Sequence, residues 1–210
     1  MAEKKLQLGF LASHGGTNMQ AIIDVCKKGR LEAEPRVVIG NNSRSGALER
    51  AAREGIPVCH LSSRTHPEPG DLDAAILAAL RRHQVELICL AGYMKRLGAA
   101  TLAAYRGRIL NIHPALLPKF GGRGFYGEAV HRAVLAAGER ESGATVHLVD
   151  EEYDRGPVLA QRRVPVRPGD TPDTLAARVL EEEHILYAET LQKIACGQIR
   201  LQDFGFRAGG

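Results

Sequence analysis

Apolar residues fall in short blocks along the first half of the chain, and helical spacing fills the stretches between them. Residues 7–11 form an apolar run ahead of the polar loop Ser13-His14-Gly15-Gly16-Thr17-Asn18. A helix pattern follows, with Ile22, Val25 and Cys26 at helical spacing. Residues 36–40 (RVVIG) read as a second strand, and 45–54 as a helix ended by Gly55 and Pro57. Residues 58–61 suit a third strand. From 71 to 83, Leu72, Ala75, Ile76, Ala79 and Leu80 recur at three- and four-residue steps, the mark of an amphipathic helix. Residues 87–90 are a compact apolar run, as in a strand buried on both faces.

The rhythm changes after 109–111. A loop rich in Pro and Gly spans 114–127, and a helix is predicted at about 128–137. Residues 145–149 and 158–166 read as extended strands, with a turn at 154–157. A final long helix starts near the cap Asp170-Thr171-Pro172-Asp173 and runs toward Ile194. Strands alternating with helices predict an α/β fold with an open, doubly wound, mostly parallel sheet. An antiparallel extension is expected in the C-terminal half. Ligands on such sheets sit outside the carboxyl ends of the strands. No repeat or linker divides the sequence, so one domain over 1–210 is expected.

A chain of 210 residues can bury a core without metals or disulfides. Aromatics are 5% and Trp is absent, which argues against a stacking surface for nucleic acid. The net charge of +4 comes from scattered Lys and Arg, which favours small anionic substrates over nucleic acid. Cys26, Cys59, Cys89 and Cys196 form no CxxC pair and lack zinc-ligand spacing. Cys89 sits in an apolar run and reads as a small buried hydrophobe. A reduced, cytoplasmic setting is expected. No apolar stretch is long enough for export or membrane spanning.

Two stretches carry candidate chemistry. In the 13–18 loop, glycines let backbone amides approach an anion, and the helix that follows adds free N–H groups and its dipole. Thr17 and Asn18 can donate hydrogen bonds or cap that helix. The loop is neither GxGxxG nor GK[ST], so a nucleoside triphosphate is not expected. A plain βα turn fits the same residues. Residues 41–46 form a second polar loop at the same sheet edge, as support for a site or as a turn and cap.

The other stretch is 109–118. Asn111 and His113 are two apart on a strand and share a face. The adjoining X-Pro pairs impose extended or turn geometry. An Asn amide can donate to a carbonyl oxygen gaining charge, and an imidazole can donate or relay a proton. The acidic turn at 151–157 offers several partners for that imidazole, and spacing does not choose among them. His147 alternates with apolar Val146 and Leu148, so it is expected on the opposite side of its strand or in structural packing. An isolated N-x-H is usually a polar strand end, and an acidic turn is usually solvated surface.

Residues 13–20, LAGYMKRL at 90–97, ILNIHPALLPKF at 109–120, GATVHLVDEEYDRGPVL at 143–159 and EEEHILY at 181–187 stand in a specific order and spacing. Through them the chain resembles the phosphoribosylglycinamide formyltransferases of the folate-dependent formyltransferase family over almost its whole length. The resemblance implies a Rossmann-like fold. It also implies formyl transfer from 10-formyltetrahydrofolate, as co-substrate, to the amine of glycinamide ribonucleotide in purine synthesis, without a metal. Asn111, His113 and Asp154 match the family's catalytic Asn, His and Asp. Gly15, Gly16, Thr17 and Asn18 match the loop holding the substrate's 5′-phosphate. Glu183 matches a Glu at the glycinamide ribose end, and shares a helix side with Ala176, Val179, Leu180 and Tyr187. Met94, Lys95, Arg96 and Leu97, with Asn111, Val149 and Asp150, match the folate site. The loop near 149–154 is implied to close over the pterin.

The implied mechanism has Asn111 and a protonated His113 stabilising the oxyanion, with Asp154 and a water moving the proton. The N-terminal half is implied to bind substrate, and the C-terminal half to bind folate and carry catalysis. Small-molecule partners, no membrane, and a monomer or homodimer are expected. Two departures stand out. His14 occupies a position often held by Gly, and the glycine-rich 121–127 is long enough to act as a lid. Relatives with an added RNA-binding or regulatory domain, methionyl-tRNA formyltransferase and formyltetrahydrofolate deformylase, are disfavoured on length. A sugar-nucleotide formyltransferase is the second reading. A non-catalytic folate- or nucleotide-binding protein, which needs no Asn, His and Asp set, is the third.

Overall fold

A computed structural model describes residues 4–204, with seven strands and six α-helices among them; the outermost ends of the expected 1–210 domain lie outside the described residues. The strands are β1 (Leu6–Ala12), β2 (Ala33–Gly40), β3 (Val58–His60), β4 (Leu87–Leu90), β5 (Ile109–His113), β6 (Glu141–Leu148) and β7 (Val158–Pro165). The helices are α1 (Thr17–Lys27), α2 (Gly46–Arg53), α3 (Asp71–Arg82), α4 (Ala99–Ala104), α5 (Glu128–Ala136) and α6 (Pro172–Ala195). They form one sheet in the order β3-β2-β1-β4-β5-β6-β7. The first five strands are parallel, and β5–β6 and β6–β7 are antiparallel. The expected α/β sheet with an antiparallel extension is therefore present.

Each strand face has its own core. Leu8, Phe10, Val38, Cys89, Leu110 and Ile112 pack with the buried faces of α1, α2, α5 and α6. Leu11, Ile39, Ile88 and Ile109 pack with Ile76, Ala79 and Leu80 of α3 and, beside them, Leu102 of α4. The sheet is thus covered on both sides, as a parallel sheet requires. A Cβ at Gly9 would lie 2.9 Å from Leu80 and Val85, so glycine there lets α3 sit close to β1.

The differences from expectation are local. β2 begins at Ala33 and β6 at Glu141, earlier than their most apolar segments, because ladder pairing with β1 and β7 continues past the core. The six-residue α4 has too few turns to show a periodic apolar face, and the sequence pattern does not reveal it. The capping box of Thr171 and Thr174 starts α6 where expected.

The turn between β6 and β7 is pinned by Gly156. Leu148 N–H donates to Pro157 O at 2.9 Å, and a Cβ on Gly156 would overlap the carbonyl of Leu148. Gly156→Ala is expected to destabilise the fold by roughly 3 kcal/mol, since neither backbone can give way. Urea unfolding of the two proteins measures this, and an unchanged midpoint would refute the close approach.

Candidate active site

Strand order reverses between β1 and β4, so the loops leaving their carboxyl ends diverge and open a crevice. The two loops are tied together at its floor. Ser13 N–H donates to Gly92 O at 3.0 Å, and Met94 N–H donates to Ser13 Oγ at 2.7 Å. Gly16 precedes α1 in the left-handed region, with φ of 70°, and a Cβ there would lie 2.7 Å from Ala47. No side chain caps α1, and no acidic residue stands in its first turn. Its N-terminal amides and positive dipole end therefore face the crevice without a resident anion. His14 and Gly15 are exposed, and their carbonyls are used on α2: Ala47 N–H donates to His14 O and Arg50 Nε to Gly15 O. Residues 41–45 are a turn and a cap, with Ser45 Oγ accepting from Leu48 N–H.

Asn18 reaches across the molecule instead of capping. Its Nδ2 donates to Glu183 Oε2 at 2.6 Å, joining α1 to α6. Glu183 points inward, as its helix side predicts, and is 7% exposed. One turn on, Tyr187 is fully buried and its hydroxyl donates to Leu110 O at 3.1 Å and lies 3.3 Å from Leu90 O. That contact fixes α6 against β4 and β5. Burial pushes the Glu183 carboxyl up to about 7, against the opposing pull of the Asn18 amide. Asn18 Oδ1 is buried without a partner.

The second cluster forms where β5 and β6 pair. The register sets Asn111 opposite His147 and His113 opposite Thr145. Asn111 and His113 share a face, opposite to core residues Leu110 and Ile112. Cross-strand pairing brings His147 to the same face. Its Nδ1 lies 2.8 Å from Leu148 O, a carbonyl that only accepts, so Nδ1 carries the hydrogen. Its Nε2 then accepts from Asn111 Nδ2 at 3.1 Å. The second hydrogen of the Asn111 amide is left for another acceptor.

Asp154 closes the cluster from the β6–β7 turn. Its Oδ2 is 3.6 Å from His113 Nδ1, and its Oδ1 is 3.5 Å from His147 Nε2. Asp154 adopts φ of 56°, a left-handed conformation that non-glycine residues rarely hold. His113 Nε2 donates to Phe120 O at 2.8 Å, so Nδ1, facing Asp154, is the ring atom that gains or loses a proton. Burial lowers the pKa of His113 from 6.5, with Asp154 and Phe120 opposing. Burial therefore favours the neutral form of the resting ring. Burial would raise Asp154, but His147, His113 and the Gly122 N–H together hold it below the ordinary carboxylate value.

Residues 6–191 match the family model described as formyl transferase. The chain belongs to the formyl transferase family. Its relatives include the chloroplastic phosphoribosylglycinamide formyltransferase of Vigna unguiculata, 44% identical over 192 residues and covering 91% of this chain. The chain spans 61% of that relative's length. The phosphoribosylglycinamide formyltransferase of Escherichia coli K12 is 36% identical over 198 residues, covering 94% of this chain and 91% of the relative. Glycinamide ribonucleotide transformylase 1 from Symbiobacterium toebii has the same fold, with TM-score 0.88 and 40% identity, covering 94% of this chain and 91% of that one. The resemblance read from the sequence motifs is borne out at the level of the family.

The residues expected at the folate site divide. Met94, Lys95 and Arg96 are exposed on the loop after β4, and Arg96 donates to Glu151 O on the facing loop. Leu97 is 5% exposed and packs in the core beside Tyr93 and Tyr105. Val149 is half-buried against that core, and Asp150 Oδ1 accepts from Glu152 N–H. Sequence reasoning missed His147, Phe120 and Gly122 as parts of the cluster. The one signal for His147 was its alternation with apolar Val146 and Leu148, and its pairing with Asn111 needed the register.

Glu183 also gives a stability test. The native carboxyl keeps its proton up to about 7, whereas a free one loses it near 4.5. Its contribution is therefore present at low pH and is lost as pH rises from 4.5 through 7. Glu183→Gln keeps an acceptor for Asn18 without the charge. Its melting temperature is expected to gain on the parent protein between pH 5 and pH 8. A constant gap across that range in a thermal melt series would refute the buried acid.

Proposed function

We propose that the chain transfers the formyl group of 10-formyltetrahydrofolate to the amino group of glycinamide ribonucleotide, giving formylglycinamide ribonucleotide and tetrahydrofolate in purine synthesis. The observation that carries this is the meeting of Asn111, His113 and Asp154 at one strand end, with the carboxylate 3.6 Å from His113 Nδ1. An amide donor, a titrating imidazole and a charged carboxylate are what acyl transfer to an amine requires. The donor enters as a co-substrate, and the proposed chemistry calls on no metal.

In this reading Gly15, Gly16, Thr17 and Asn18 hold the 5′-phosphate at the start of α1. The uncapped helix end and the absence of first-turn acids support it. Glu183 meets the glycinamide ribose end. Met94, Lys95, Arg96, Leu97, Asn111, Val149 and Asp150 form the folate side, so the N-terminal half serves the substrate and the C-terminal half serves folate and catalysis in one domain. The free hydrogen of the Asn111 amide donates to the formyl oxygen as it gains charge. The attacking amine becomes an ammonium, and its proton passes through a water to the Asp154–His113 pair. The pair returns a proton to the leaving folate nitrogen, and His113 is charged only in transit. Protons and charge balance over the cycle.

The chain is read as working on small molecules, away from nucleic acid, as a monomer or homodimer in the cytoplasm. Four free cysteines support a reducing compartment. Among the described residues no helix is long and apolar enough to cross a membrane.

The test is turnover by purified protein with 10-formyltetrahydrofolate and glycinamide ribonucleotide, run beside an amino-sugar nucleotide. Formylation of the ribonucleotide alone is expected, and formylation of only the sugar nucleotide would sink the reading. His113→Ala and Asp154→Asn are each expected to lower kcat by roughly 1,000-fold with folate affinity nearly unchanged. Near-normal turnover by Asp154→Asn refutes its role. Because the pKa values of both His113 and Asp154 lie below the ordinary ones, kcat/KM should hold as pH falls from 8 and decline only below 6.5. A decline centred above 6.5 in the pH–rate profile contradicts the neutral resting ring.

A further inference from the structure

The glycine-rich segment after Phe120 is bonded to both members of the titrating pair. Phe120 O accepts from His113 Nε2 at 2.8 Å, and two residues later Gly122 N–H donates to Asp154 Oδ2 at 2.8 Å. The oxygen that Gly122 holds is the one facing His113 Nδ1. Between them, Gly121 lies so close that a Cβ would overlap Leu117 Cδ2 and stand 3.2 Å from Asp154 Cβ. Phe120 has φ of 55° and Gly122 of 95°. The left-handed turn at Phe120 is unfavourable for a residue with a Cβ, and persists where surrounding contacts over-determine it.

We propose that Gly122 is a positioning residue for formyl transfer: its backbone N–H holds Asp154 Oδ2 toward His113, while Phe120 O on the same strap holds the ring. One three-residue segment thereby sets the separation and orientation of two groups that come from a strand end and from a separate turn. The proposal rests on the function given above and adds to it a working part for the glycine-rich loop.

Asp154 is faced by His113 from β5, by His147 from β6 and by the Gly122 N–H from the strap. On α5, His131 is 4% exposed and its charged form is disfavoured by burial and by His113. Among these, the strap N–H is a donor whatever the pH. Two histidines alone give the carboxylate fixed partners only when they are charged. Removing the N–H therefore frees Oδ2 to turn away and lets the pair take up its first proton at higher pH.

Gly124 supplies the control. It lies in the same loop with φ of 94°, and open space surrounds both Gly122 and Gly124. Proline at either position imposes the same backbone conflict, and only Gly122→Pro deletes the donor to Asp154. In the formyl-transfer assay, Gly122→Pro is expected to lose roughly 100-fold in kcat, with KM values little changed and the acid limb moved to higher pH. Gly124→Pro should stay within about threefold of the parent protein. Equal losses in the two variants, or an unmoved acid limb in Gly122→Pro, overturn the proposal. If Gly122→Pro does not fold by circular dichroism, Gly122→Ala is set against Gly124→Ala: both strain a left-handed backbone and keep the N–H, and only the first is expected to displace the donor from Asp154 and move the acid limb. A parent protein inactive on glycinamide ribonucleotide counts against the proposed function, not the strap. The strap is then read by carboxyl NMR, where Asp154 should titrate higher in the Gly122 variant, and unchanged titration overturns it.

Discussion

A carboxylate at the position of Asp154 has lost most of its water, and burial alone would make it take up a proton. An N–H from the strap between β5 and α5 donates to it at any pH, while His113 faces it from one strand and His147 from the next. Every larger feature nearby serves that arrangement. The antiparallel β5–β6 register sets His147 opposite Asn111, and Gly156 lets the β6–β7 turn fold tightly enough to bring Asp154 back over the pair. A one-residue slip in that register would turn Asn111 and His113 into the core and empty the site.

The same geometry ties two kinds of sheet together. The parallel strands provide divergent loops and an uncapped helix end, a surface suited to an anion. The antiparallel strands provide a rigid platform for groups that titrate. α6 couples the two, since Tyr187 bonds to β4 and β5 while Glu183 takes the amide of Asn18. The distance between the 13–18 loop and the His113 imidazole is therefore set by a packed helix, not by a loop.

Much of this was legible in the sequence for stated reasons. Parallel strands buried on both faces give unbroken apolar runs, and α3 gives a clean helical period, so the sheet class and the loops at its edge were readable. Alternation placed Asn111 with His113, and helix spacing turned Glu183 inward. Alternation even set His147 opposite to Val146 and Leu148, but which side was the site depended on strand register, which no local pattern encodes. The strap was invisible for a different cause. Phe120 and Gly122 act through backbone atoms, which every residue carries, so their side chains give no chemical signal. The charge state of His113 was likewise hidden, because it follows from burial and not from its neighbours in sequence.

Two carboxylates with opposite shifts constrain the order of events in the proposed transfer. Glu183, buried with a single amide partner, holds its proton up to about 7, whereas Asp154 is kept charged by its donors. A carboxylate whose pKa lies below the ordinary value is a weak base and does not deprotonate a neutral amine. It readily takes a proton from the ammonium that forms when the amine has added to the formyl carbon, because that group is far more acidic. Proton transfer to the Asp154–His113 pair thus follows formation of the new carbon–nitrogen bond. The amide of Asn111 then donates to the oxyanion during attack, and the Asp154–His113 pair holds the proton until the intermediate collapses toward the leaving nitrogen.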